Sequence, residues 1–249
     1  MNILIYSDNV SANHILYYTL GRLRGKQSVY FVNANEILEG ALTQDIDLFV
    51  MPGGASRYKA AKLNGEANRL IKRYVEEGGC YLGICAGAYM ACETTYWAKD
   101  LPYEIITQNE LRFFPGIAQG PVEAFGHGDN YNGTAPRVVD LQLLDAEFGA
   151  DSAKSLYIGG CTFDSDKTSE YEVLARFSEL PEKPAAIVQG CFGKGCWLLS
   201  STHPEYDKEA LDLLEFDVIG NDYQEYAQVD ANSLLDLKLM DYLLKKLER

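Results

Sequence analysis

Four short apolar runs in the first third of the chain decide what it can fold into. Ile3-Leu4-Ile5-Tyr6, Val29-Tyr30-Phe31-Val32, Asp47-Leu48-Phe49-Val50-Met51 and Cys80-Tyr81-Leu82-Gly83-Ile84 show no apolar–polar alternation. A strand with one wet face alternates, whereas a strand apolar throughout reads as buried on both faces. Segments of helical spacing lie between the runs. Ile15, Leu16, Leu20 and Leu23 follow Ser11, a residue able to cap a helix, and Leu70, Ile71, Tyr74 and Val75 mark a helix from about 65 to 77 that stops at Gly78-Gly79. Strand and helix alternating in this way predict an α/β fold with a mostly parallel central sheet covered on both faces.

Strand-like runs resume at 138–144, 155–158, 172–177, 185–189 and 197–200. From about 94 to 136 the pattern breaks into a stretch rich in Tyr, Phe, Gly and Pro, read as a loop-rich insertion beside the sheet. Leu234, Leu235, Leu237, Leu239, Met240, Leu243, Leu244 and Leu247 form an apolar stripe on a terminal helix, a pattern that is usually core and only sometimes a dimer seam. No repeat, low-complexity tract or linker interrupts the 249 residues, so 1–249 reads as a single domain.

The formal net charge of −14 argues against nucleic acid and membrane surfaces as partners, because both are anionic. The amino terminus has no basic segment before its short apolar run, and no later stretch approaches the length of a membrane helix. The six cysteines (80, 85, 92, 161, 191 and 196) include no Cys-x-x-Cys pair, so reduced thiols and a cytoplasmic location are expected. His14, His127 and His203 stand apart without ligand spacing, and neither a metal nor a cofactor is expected. Phe192-Gly193-Lys194-Gly195-Cys196 lacks the spacing of a phosphate loop and reads as a hairpin.

Three motifs carry chemistry. Gly83-Ile84-Cys85-Ala86-Gly87 joins a buried strand to a helical run, and small residues on both sides of the cysteine permit a sharp turn that lifts one side chain over the sheet. The following helix would aim its free amides and positive end at that sulfur, which favours thiolate. A buried structural cysteine between packing glycines is the bland alternative. His203-Pro204-Glu205 follows the apolar run at 197–200; an imidazole can take a nucleophile's proton, and a nearby carboxylate can fix its tautomer. Pro52-Gly53-Gly54 ends the third run, where the amides of Gly53 and Gly54, with that of Ala86, could receive an oxyanion. Tyr96, Trp97, Tyr103, Phe113, Phe114 and Phe125 read either as pocket lining or, more often, as packing.

In this order, Pro-Gly-Gly, Gly-x-Cys-x-Gly and Ser-Ser-x-His-Pro-Glu resemble the class I glutamine amidotransferases. A closer likeness is to the amino-terminal domain of eukaryotic-type biotin–protein ligases and their free-standing relatives. It rests on Pro52-Gly53-Gly54-Ala55, Tyr74-Val75-Glu76-Glu77-Gly78-Gly79, Tyr81-Leu82-Gly83-Ile84-Cys85-Ala86-Gly87-Ala88-Tyr89, Phe114-Pro115-Gly116 and Gly159-Gly160-Cys161. The resemblance implies a flavodoxin-like three-layer sandwich with Cys85, His203 and Glu205 as a catalytic triad. It also implies cleavage or transfer at a small-molecule amide or peptide-like bond. Tyr89 stands where glutamine amidotransferases carry a substrate-holding Gln, and no adenylate loop of a ligase half is visible. These two features motivate a second reading, a non-catalytic ligand-binding or regulatory module. A homodimer or a separate partner protein stays open.

Overall fold

Successive residues of the first strands are buried on alternate faces, and that alternation sets the layers. The computed structural model describes residues 1–7, 12–125, 136–217 and 234–248. β1 (Ile3–Tyr6), β2 (Val29–Val32), β3 (Leu48–Met51) and β4 (Cys80–Ile84) fall on the four apolar runs. Ile3, Ile5, Leu48, Val50, Cys80, Leu82 and Ile84 face one core, while Leu4, Tyr6, Phe49, Met51 and Tyr81 face the other. Successive strand residues point to opposite faces, so an unbroken apolar run feeds two cores at once.

Helices close each side. Leu16 and Leu20 of α1 (Ala12–Arg24) and the buried stripe of α7 (Lys238–Leu247) cover the first core. The second is covered by α2 (Ala34–Leu38), α3 (Ser56–Leu63), α4 (Glu66–Glu77) and α5 (Ala86–Ala91). Leu239, Met240, Leu243, Leu244 and Leu247 are buried within the chain's own core, so these residues of the stripe are spent on folding, whereas Leu234 is 75% exposed. Truncating one of these leucines to alanine costs about 2–5 kcal/mol in comparable cores.

The strands β2-β1-β3-β4-β13 run parallel, with β13 (Gly195–Ser200) beside β4. β12 (Ala185–Phe192) turns back antiparallel through the 192–195 hairpin. The sheet continues through β10 (Thr162–Asp164), β7 (Phe114–Gly120), β5 (Cys92–Trp97) and β6 (Ile105–Gln108). β11 (Glu172–Phe177), β8 (Arg137–Leu143) and β9 (Ser152–Tyr157) branch from β12. The chain then passes to α6 (Lys208–Asp217).

Two expectations change. The stretch expected as loops near 94–136 holds most of β5 and all of β6 and β7 among its described residues. Pro115, Gly116 and Gly120 lie inside β7, and these residue types argue against a strand in sequence reading. Edge strand β2 leaves Tyr30 51% and Phe31 38% exposed, so that run is sealed only at its ends. Ser11 and His127 lie outside the described residues.

Candidate active site

Register builds the site. Met51 of β3 pairs with Gly83 of β4, and Ile84 pairs with Ser200 of β13. The three strands therefore end at one level, and the segments leaving them (Pro52-Gly53-Gly54, Cys85 and Ser201 to Glu205) share the carboxyl edge of the sheet. Ligands of open α/β sheets bind at this edge.

Cys85 sits at φ +48° and ψ −106°, a backbone state that costs a non-glycine residue about 1–3 kcal/mol. The turn is locked by its own amides. Cys85 N–H donates to the Ser200 carbonyl at 2.8 Å, and the Cys85 carbonyl accepts from Ala88 N at 2.9 Å and Tyr89 N at 3.0 Å. The flanking glycines are steric necessities: a methyl on Gly83 would lie 2.7 Å from the Gly87 carbonyl oxygen, and one on Gly87 would overlap the carbonyl of Met51. Ala86 opens α5, so its amide lies among those with no carbonyl one turn back to bond.

His203 enters from the end of β13. Its amide donates to the Leu156 carbonyl at 2.7 Å, which ties it to β9. Its Nδ1 lies 2.7 Å from Glu205 Oε1, and the two residues are 6% and 5% exposed. Bonding of Nδ1 to a carboxylate places the proton there and leaves Nε2 for the other side. Burial pulls the imidazolium pKa down, but the Glu205 carboxylate and the contact with Cys85 outweigh it and raise it to about 10.

Gly53 shows how close the groups come. A methyl built on it would lie 2.5 Å from His203 Cε1, 3.4 Å from His203 Nε2 and 3.5 Å from Cys85 Cβ. The imidazole and the cysteine thus converge on one small volume that glycine keeps open. Gly54, at φ +100°, is exposed at the rim. Tyr89 belongs to the packing below: it is buried, its ring meets Trp97 edge-on, and its hydroxyl donates to the Gly159 carbonyl at 3.1 Å.

Several participants are invisible to motif reading. The Cys85 thiol donates to the Ile158 carbonyl at 3.4 Å. Ile158 begins a strap pinned by Tyr89 at Gly159 and by Tyr157, whose hydroxyl donates to the Gly160 carbonyl at 2.9 Å. Gly159-Gly160 is its only signal, because main-chain carbonyls leave no mark in a sequence. Thr19 of α1 also reaches the site, through the main chain of Glu205. Burial is the main force raising the Cys92 and Cys161 thiols well above the usual thiol pKa. Of the other aromatics, Phe113, Phe114 and Phe125 are packed in the interior and Tyr103 is 38% exposed.

Among the described residues no cluster of three or more His, Cys, Asp or Glu side chains is disposed to hold a metal, and no helix is long and apolar enough to cross a membrane. A groove of about 640 Å³ opens at the opposite edge of the sheet, lined by Met1, Arg24, Asp47, Tyr74, Gly79 and Glu248. It is a strand's length from Cys85 and has no part in this site.

Among solved structures, the fold is similar to that of SMU.1228c, with a TM-score of 0.58 at 15% identity and 99% of each chain covered. It is also similar to a protein assigned to GMP synthase from Thermoplasma acidophilum, with a TM-score of 0.51 at 13% identity, covering 92% of this chain and 95% of that one. Architecture and neighbours define the fold class: a flavodoxin-like α/β sandwich with a mostly parallel central sheet. The family follows from sequence. The family model described as "Biotin-protein ligase, N terminal" matches residues 1–248, and the chain belongs to that family. It is 34% identical over 224 residues to an uncharacterized protein of Chlamydia muridarum, covering 87% of this chain and 85% of that one. It is 29% identical over 223 residues to biotin–protein ligase of Schizosaccharomyces pombe, covering 86% of this chain but 35% of the ligase.

Proposed function

We propose that the chain is a cysteine-dependent acyl-transfer enzyme, a hydrolase or amidotransferase acting on a small amide or peptide-like bond. One observation carries the reading: Cys85, held at a strained turn, and His203, held by a buried carboxylate, converge on Gly53. His203, having taken the thiol proton to leave Cys85 as thiolate, returns that proton to the leaving amine after the sulfur attacks the substrate carbonyl. Glu205 keeps the proton on Nδ1, so that Nε2 faces the sulfur. The oxyanion is received by the amide of Ala86 with those of Gly53 and Gly54. Water activated by the same imidazole then releases the acyl group.

A regulatory module related to the biotin ligase amino-terminal domain is the second reading. It is favoured by Tyr89, which is buried with its hydroxyl engaged and so offers a substrate nothing comparable to glutamine's amide. One assay separates the two. Release of ammonia or amine is measured with glutamine, small primary amides and short peptide amides. The enzymatic reading expects turnover of at least one class, lost by at least about a thousandfold in Cys85→Ala. Ligand binding by both proteins with turnover by neither selects the module.

A further inference from the structure

The unusual feature of the triad carboxylate is how little holds its side chain. Glu205 is 5% exposed, with Oε1 on His203, yet Oε2 is buried and has no hydrogen-bond partner among the described residues. A second carboxylate oxygen normally fixes orientation by accepting a bond of its own. Here the restraint comes through the main chain. The Glu205 carbonyl accepts from Thr19 Oγ1 at 2.8 Å, across 186 positions of sequence. Thr19 is fully buried on the 13-residue helix α1. A threonine inside a helix ordinarily bonds back to a carbonyl of its own preceding turn, whereas this one leaves its helix for the triad segment.

The same helix grips the residues that follow. Arg22 Nη2 pairs with Asp207 Oδ1 at 2.8 Å, and the same oxygen accepts from the amide of Ala210 at 2.9 Å. Arg22 and Tyr18 both reach Glu209. These outer contacts are partly solvated, and Thr19 makes the one that lies in the buried interior beside the triad.

We propose that Thr19 is a positioning residue: by holding the Glu205 peptide, its hydroxyl sets the carboxylate on His203 Nδ1 and so controls the ionisation of the Cys85–His203 pair. The proposal rests on reading Cys85, His203 and Glu205 as a triad. The titratable groups acting on that pair are Glu205 at His203 and Tyr89, Tyr157 and Cys161 around Cys85, and the Tyr206 ring lies 5.9 Å from that of His203. Thr19 itself does not titrate, so a change in pH profile on its replacement reports a change in their geometry.

The test is the iodoacetamide alkylation rate of Cys85 across pH 5–9 in the full chain, with peptide mass spectrometry separating Cys85 from exposed Cys191. Thr19→Val keeps the shape and removes the hydroxyl. It is expected to move the midpoint of the profile up by about one pH unit, equivalent to about a tenfold slower reaction on the acid limb. Thr19→Ser keeps the hydroxyl and restores the wild-type profile. Should Thr19→Val fail to fold, Thr19→Ala replaces it with the same expectation. An unchanged profile in the hydroxyl-free variant, with Glu205→Gln still displaced, overturns the role of Thr19 and leaves the triad standing. If Glu205→Gln is also unchanged, the triad reading itself fails.

Discussion

The two edges of one parallel block are built to opposite rules. At the amino edge the ionic groups are solvated: Asp47, 54% exposed, faces the amino terminus of Met1 at 3.8 Å, and Arg24 is shared by Asp241 and Glu248, which are 30% and 41% exposed. The positive-φ turns nearby fall on Gly25 and Gly78. At the carboxyl edge, Cys85, His203 and Glu205 are each under 8% exposed, and the positive φ at the elbow falls on a cysteine. Glycine adopts such a turn without strain. On the proposed function, strain kept on Cys85 beside a desolvated imidazole and carboxylate serves that side chain's chemistry.

Substitutions at each edge sharpen or break this contrast. The largest effect is expected at Gly87, where a methyl would overlap the Met51 carbonyl. Gly87→Ala should lower unfolding free energy by about 3 kcal/mol or more, read from urea denaturation. Next is Glu205→Gln. Removing the charge that sustains the imidazolium should lower the His203 pKa by about 1–3 units, followed by the ring-proton shifts of His203 in NMR.

A pH-dependent difference follows from the same shift. His203 has a folded pKa raised above its ordinary 6.5 to about 10, so the stability it contributes is complete below about pH 6.5 and is lost as pH rises through 10. The stability gap between wild type and His203→Gln should therefore narrow from pH 6.5 to 10 in thermal unfolding. Asp47→Asn at the amino edge should cost no more than about 1 kcal/mol, because its ion pair is solvated. A cost equal to that of Glu205→Gln would erase the contrast between the edges.

Sequence patterning exposes one edge's machinery well and its supports poorly. The runs at Ile3, Leu48 and Cys80 carry a physical signature, continuous apolarity, and the structure follows them within a residue. Gly83 and Gly87 are legible for a related reason, since only glycine admits the packing they make. β6 is hidden because its four residues are all exposed and present no buried face. The Ile158 carbonyl and the Thr19 hydroxyl are hidden because a main-chain acceptor belongs to every residue, and a threonine on a helix face has many fates. The approach of Cys85 to His203 depends on β13 pairing beside β4, a long-range adjacency that no local pattern encodes.

The most direct measurement compares alkylation of Cys85 with that of Cys191 by iodoacetamide at pH 6.5, in wild type and in His203→Gln. Cys191 is an exposed internal reference thiol. The predicted result is that Cys85 reacts faster than Cys191 despite its burial, and that His203→Gln abolishes the advantage. A wild-type Cys85 that reacts no faster than Cys191, or a rate indifferent to His203, would contradict the assignment of this edge as a thiol-based catalytic centre.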